Sequence, residues 1–215
     1  MATLHHSTSP AFGQRISGFT LLMCCLWLLA GCGNHPPAVL SVGDLLRIGT
    51  AQPQRVAGVL IWGDDQQLTM VASIALFPDT PVQVAVETLH IESGTIVLQM
   101  LPWRDTGDLR YLPAIVTVHT DPISQRPTLT TITFDIGEYH LSHLPTDRVV
   151  RITGRFVRRD GQQFLVARES AAQFIALQPS ALTEFLPSRS DILVEGVAVQ
   201  SVFIPLVIAP ITTHP

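Results

Sequence analysis

Two histidines three residues apart, His140 and His143 in Tyr139-His140-Leu141-Ser142-His143, are candidate metal ligands. On a helical turn their rings share a face, and Asp135 or Glu138 adds an oxygen donor to a zinc-like site. On a strand they point to opposite sides, and Pro145 leaves little room for a helix. A second pattern is Arg151, Arg155 and Arg159, which a strand of period two sets on one side. That row reads either as an anion-binding stripe or as a solvated face that suppresses edge pairing. A nucleophile elbow, an HExxH helix, a phosphate-cradling glycine loop and paired carboxylates on one element are all missing from the sequence. Asp64-Asp65, Glu87 and Glu92 suit turn and surface roles. The expectation is a binding protein without a catalytic residue, a resident metal or a cofactor, and not an enzyme.

The charge balance narrows the partners. The thirteen basic residues are all arginine, and the formal net charge is −4. No bulk attraction to nucleic acid or to an anionic membrane surface follows from that, so nucleic acid is not an expected partner. Apolar residues make up 47% and charged residues 14%, with sixteen prolines and fourteen glycines. The apolar letters are mostly Val, Ile and Leu in short runs between turn residues, a β-rich composition.

The N-terminus is organised differently. Residues 1–15 are polar with Arg15 as the one formal positive charge, and 16–30 are almost wholly apolar, in the order of a secretory signal. The apolar run is shorter than the ~20 residues a membrane-spanning helix needs. It closes on Leu29-Ala30-Gly31-Cys32, which resembles the lipobox of bacterial lipoproteins. That resemblance implies a diacylglycerol thioether on Cys32, cleavage just before it, and a mature chain that begins there. The expected division is a signal peptide over 1–31 and a lipid-anchored tether over 32–38. Gly33 lacks the acidic character that retains such proteins at an inner membrane, so the resemblance implies the cell membrane or the outer membrane, on the exported side. Cys24, Cys25 and Cys32 are the three cysteines, so the body has none to pair and must rely on its core.

The body repeats itself. Arg55 to Leu68 lines up without a gap on Arg151 to Phe164, matching Gly58 with Gly154, Asp64 with Asp160 and Gln66-Gln67 with Gln162-Gln163. Two copies of one supersecondary unit explain this most simply. A glycine inside a strand marks a bend of the kind that wraps a small barrel, and the second copy continues as strand, strand, short helix capped by Ser180, strand, strand. That order resembles the OB-fold, a five-stranded, partly open barrel. The expected class is all-β, with an elaborated OB-like barrel over 39–143 and a plain one over 144–215; a single β-sandwich is the alternative. In the first copy Leu68 to Phe77 reads as one strand, Thr95 to Met100 as another, and a strand near Leu89 to Ile91 as one too many for the plan. Ser41 reads as the N-cap of a short helix ending near Ile48.

The function expected from this reading is a membrane-anchored lipoprotein whose barrels form a non-catalytic interaction module of the cell envelope. Its partners would be the membrane, through the lipid, and an envelope protein or polysaccharide. The alternative is a small-ligand, metal or haem carrier using the His140/His143 region.

Overall fold

The Val-, Ile- and Leu-rich runs form strands, and the body is all-β with two multi-stranded sheets. The computed structural model describes residues 38–78, 80–168 and 170–211. The signal segment, Cys32 and the tether up to Pro37 lie outside the described residues. In chain order the first strands are β1 (Leu40–Ser41), β2 (Gln54–Trp62), β3 (Leu68–Val71), β4 (Ile74–Ala75), β5 (Gln83–Val84), β6 (Thr88–Ile91), β7 (Arg104–Asp105), β8 (Arg110–Thr120) and β9 (Pro127–Thr133). They are followed by β10 (Ile136–Glu138), β11 (Val149–Arg159), β12 (Gln162–Val166), β13 (Phe174–Leu177), β14 (Asp191–Val199) and β15 (Val202–Pro210).

The pairing forms two rings of one design. β2 pairs antiparallel with β3 and β8, β3 with β6, and β8 with β9. A parallel bridge from Glu92, just past β6, to Thr128 of β9 closes the ring. In the second ring β11 pairs antiparallel with β12 and β14, β12 with β13, and β14 with β15, and a parallel pairing of β13 with β15 closes it. Each first strand also carries a short parallel partner, β1 on β2 and β10 on β11.

The extra strand of the first copy has a simple place. Thr88 to Ile91 is the third member of the first ring, and the surplus is the β4–β5 hairpin. The run from Leu68 to Phe77 breaks after Val71, because it is apolar on both faces and can serve two sheets; β4 pairs with β15 of the second ring. Thr95 to Met100 is not a strand: Leu98–Met100 is a 3-10 turn. It follows Gly94 in a left-handed conformation (φ 58°), and it occupies the position that a helix fills in the second ring. The change of sheet also comes earlier than Leu144, since β10 already pairs with β11.

Three apolar clusters hold the body. Val56, Leu60, Met70, Leu112 and Val116 fill the first ring, and Ile152, Phe156, Leu165, Val194 and Phe203 fill the second. Ala57, Val59, Ile115, Val197, Leu206 and Val207 form a third cluster between the rings. β2 therefore buries both faces, its even residues inward and its odd residues against the neighbouring ring, which is why it reads as a continuous apolar run. This also explains the missing arginine in the first copy: Val59, at the position of Arg155, is wholly buried in the shared cluster.

The glycines of the repeat mark close approaches. A Cβ on Gly154 would lie 2.7 Å from the Val166 carbonyl oxygen, and one on Gly58 would lie 2.9 Å from that of Val71. The hairpin turns differ. Asp160 (φ 51°) and Gly161 (φ 76°) form a two-residue turn with both residues left-handed, whereas Gly63 and Gln67 pair around three residues that end in left-handed Gln66 (φ 61°). The gapless alignment thus conceals a one-residue difference in register. Helix α1 (Val42–Ile48) is capped as expected, Ser41 Oγ accepting from the Asp44 amide at 3.1 Å, and α2 (Ala181–Glu184) begins with a capping box of Ser180 and Thr183.

Candidate functional site: a cleft on the outer face of the second ring

Strand β11 alternates as its sequence requires. Val150, Ile152 and Phe156 enter the core, while Arg151, Thr153, Arg155 and Arg159 face outward. The arginine row expected from spacing is therefore one face. Its members have different surroundings. Arg151 donates from Nε and Nη2 to Glu195 Oε1 at 2.8 and 2.7 Å. Arg155 lies 3.5 Å from Asp191, which also meets Arg168 at 3.0 Å. Arg159, 81% exposed, has its chain neighbour Asp160 at 3.5 Å.

Glu195 is the fixed point of this face. It is 1% exposed, and its second oxygen accepts from Arg104 Nη1 at 2.6 Å, so one buried carboxylate joins an arginine of each ring. Burial alone would lower the Arg104 pKa; the hydrogen bond and charge of Glu195, with a smaller contribution from Tyr111, outweigh it and hold the pKa above the ordinary arginine value. The β14–β15 register shifts between Glu195 and Gly196, where β15 carries the extra residue Leu206 and so turns both Leu206 and Val207 toward the cluster between the rings; Glu195 and Val197, two apart on β14, share that same side.

Beside this pair lies a cleft of about 340 Å³ lined by Tyr139, His140, Arg151, Thr153, Arg168 and Gln173, among others. Its wall is the stretch after β10 and its far rim is the β12–β13 loop. The structure thus brings His140 and Arg151 together. His143 is absent from the lining: residues 140–143 form a turn, closed by the His143 amide on the His140 carbonyl at 3.0 Å, and the His143 ring lies 3.1 Å from Ser142 Oγ. Arg155 and Arg159 lie further along β11, outside the cleft lining. Among the described residues no group of three or more His, Cys, Asp or Glu side chains comes together to hold a metal ion.

Several residues of this site escape a sequence reading. Glu195 and Arg104 stand ninety-one positions apart, and nothing local marks Glu195 as buried or Arg104 as its partner. Phe164 and Phe174 meet edge to face at 5.7 Å on β12 and β13, and Phe174 is 61% exposed, which gives the arginine face aromatic neighbours. The signal available was the outward parity of both phenylalanines, opposite to buried Leu165. A wider cleft of about 570 Å³ lies on the first ring, lined by Gln66, Gln67, His90, Glu92 and Arg126, the last two paired at 3.2 Å. No helix among the described residues is long and apolar enough to cross a membrane. Comparison with protein-family models, with curated proteins and with solved structures finds no match to this chain.

Proposed function

We propose that the chain is a bacterial lipoprotein, anchored through a diacylglycerol on Cys32, whose body is a tandem of OB-like barrels serving as a non-catalytic binding module of the cell envelope. The lipobox stretch Leu29-Ala30-Gly31-Cys32 supports the anchor. The ring order of β11, β12, β13, β15 and β14, with a short helix between the third and fourth strands in sequence, supports the OB-like reading.

The observation that carries the binding reading is the cleft in which Arg151, Arg168, His140, Thr153 and Gln173 converge over a rigid sheet. Ligand sites of this kind combine a preformed concavity with a few fixed polar groups. Arg151 is held in place by Glu195, so it meets a partner without first losing side-chain freedom. The partner is an envelope protein or polysaccharide reached from the membrane surface.

Thr153 is exposed on β11, so Thr153→Trp fills the cleft while leaving the core intact. The detergent-solubilised full chain is sedimented with isolated envelope, wild type beside this variant. Retention weakened about tenfold in the variant supports the reading, as expected for a blocked contact centre. Equal retention of both removes the cleft from the account.

A further inference from the structure

The tryptophans make a second site. Trp62 ends β2 and Trp103 precedes β7, and their rings stand 5.5 Å apart, tilted by 40°. Trp103 Nε1 donates to the Leu98 carbonyl at 2.7 Å, which fixes that indole against the 3-10 turn. A shallow pocket of about 390 Å³ opens beside the pair, with Gln99, Asp105 and Arg110 on its rim. Arg110 and Asp105 are each 57% exposed and lie 3.6 Å apart, and the Arg110 guanidinium sits 5.7 Å from the Trp62 ring centre.

We infer that this pocket binds a neutral glycan segment, a further binding site of the envelope module proposed above and resting on that exported location. Three features carry the inference. Two indoles in contact with each other line one wall of the pocket, and that apolar surface suits the C–H face of a pyranose ring. The rim supplies an amide, a carboxylate and a guanidinium, so donors and acceptors stand side by side, as vicinal hydroxyls require. The rim charges, Arg110 and Asp105, cancel, and a neutral polyhydroxylated ligand brings no charge that must be left unpaired. A proline-rich peptide would also favour aromatic rings, but it has no run of paired donors and acceptors to engage all three rim groups.

The sequence makes the test clean. The three tryptophans are Trp27, Trp62 and Trp103, so the full chain carrying Trp27→Phe has indole fluorescence only from this pocket. That protein, in detergent, is titrated with tetra-N-acetylchitotetraose, cellotetraose and a proline decapeptide. The expected result is a saturable emission change with one of the oligosaccharides, at a dissociation constant of about 1 mM or tighter for so shallow a site. The exposed rim variant Gln99→Ala/Asp105→Asn is expected to weaken it about tenfold. No saturable change with either oligosaccharide, a change equal in the rim variant, or saturation by the peptide alone overturns the inference. The titration does not depend on lipid processing. Membrane fractionation of Cys32→Ala reports on the anchor alone, so the two readings fail separately.

Discussion

Replacing Glu195 by glutamine tests whether the carboxylate shared by Arg104 and Arg151 joins the two rings. The side chain is 1% exposed and accepts three charged hydrogen bonds of 2.6 to 2.8 Å. Breaking one partner of a fully buried ion pair costs about 3 to 5 kcal/mol. The arginines here are 30% and 34% exposed, so water recovers part of that loss. The amide also turns an N–H toward at least one guanidinium, where only an acceptor fits. A destabilisation of about 2 to 3 kcal/mol is expected, which for a body of this size lowers the melting temperature by roughly 5 to 10 °C. Urea unfolding followed by far-UV circular dichroism measures it. A double-mutant cycle with Arg104→Met should return a coupling of about 1 to 2 kcal/mol between residues of different rings. A change below about 0.5 kcal/mol for Glu195→Gln would show that the shared carboxylate does not join the rings, because that is the range of an ordinary surface substitution.

Other outcomes follow from the same structure. Gly154→Val should destabilise by at least about 2 kcal/mol, since its side chain meets the Val166 carbonyl and Leu165; a fully stable variant in thermal melts would show that the strands can separate there. Ser41→Ala should cost about 1 kcal/mol of stability through loss of the α1 cap, read as a lowered urea midpoint, and an unchanged midpoint would mean that the cap contributes nothing. The hydrogen bond from Ser41, then the one from Arg47, holds the Asp44 carboxyl below its ordinary value of 3.8, against a partial burial that raises it. A lowered folded pKa contributes stability that is present above the unfolded value and lost as pH falls through the folded one, so the Asp44→Asn difference should shrink as pH drops below about 4. If the difference is the same at pH 7 and at the acid end, Asp44 is not the titrating group. Finally, the shared cluster around Val59, Ile115 and Leu206 predicts one cooperative transition. In the Trp27→Phe chain indole fluorescence reports on the first ring only, through Trp62 and Trp103, and dichroism on both; separate midpoints would contradict joint unfolding.

Much of the local structure was legible because short-range chemistry dictates it. Ser41 and Ser180 cap helices by a hydroxyl that reaches an amide three residues on, and Asp160-Gly161 turns because its residues tolerate positive φ. The repeat around Gly58 and Gly154 was visible because both positions lack room for a Cβ. What sequence could not show is decided at long range. Thr95 to Met100 has the β-branched, apolar composition of a strand, yet it turns after Gly94 and packs under Trp103, a tertiary override of β-propensity. The break after Val71 and the transfer of Ile74–Ala75 to β15 depend on a partner more than a hundred residues away. The site was legible in the same uneven way. Parity put Arg151, Arg155 and Arg159 on one face, but the buried partner of Arg151 and the turn that parts His140 from His143 come from tertiary contacts.

Tethering of the body by a lipid on Cys32 is checked by the intact mass of the protein from the membrane fraction of a bacterial host, wild type beside Cys32→Ala. A wild-type chain that begins at Cys32 and carries a diacylglycerol is expected, beside a variant that loses both the modification and that N-terminus. Two proteins that both keep residues 1–31 and fractionate alike would contradict it.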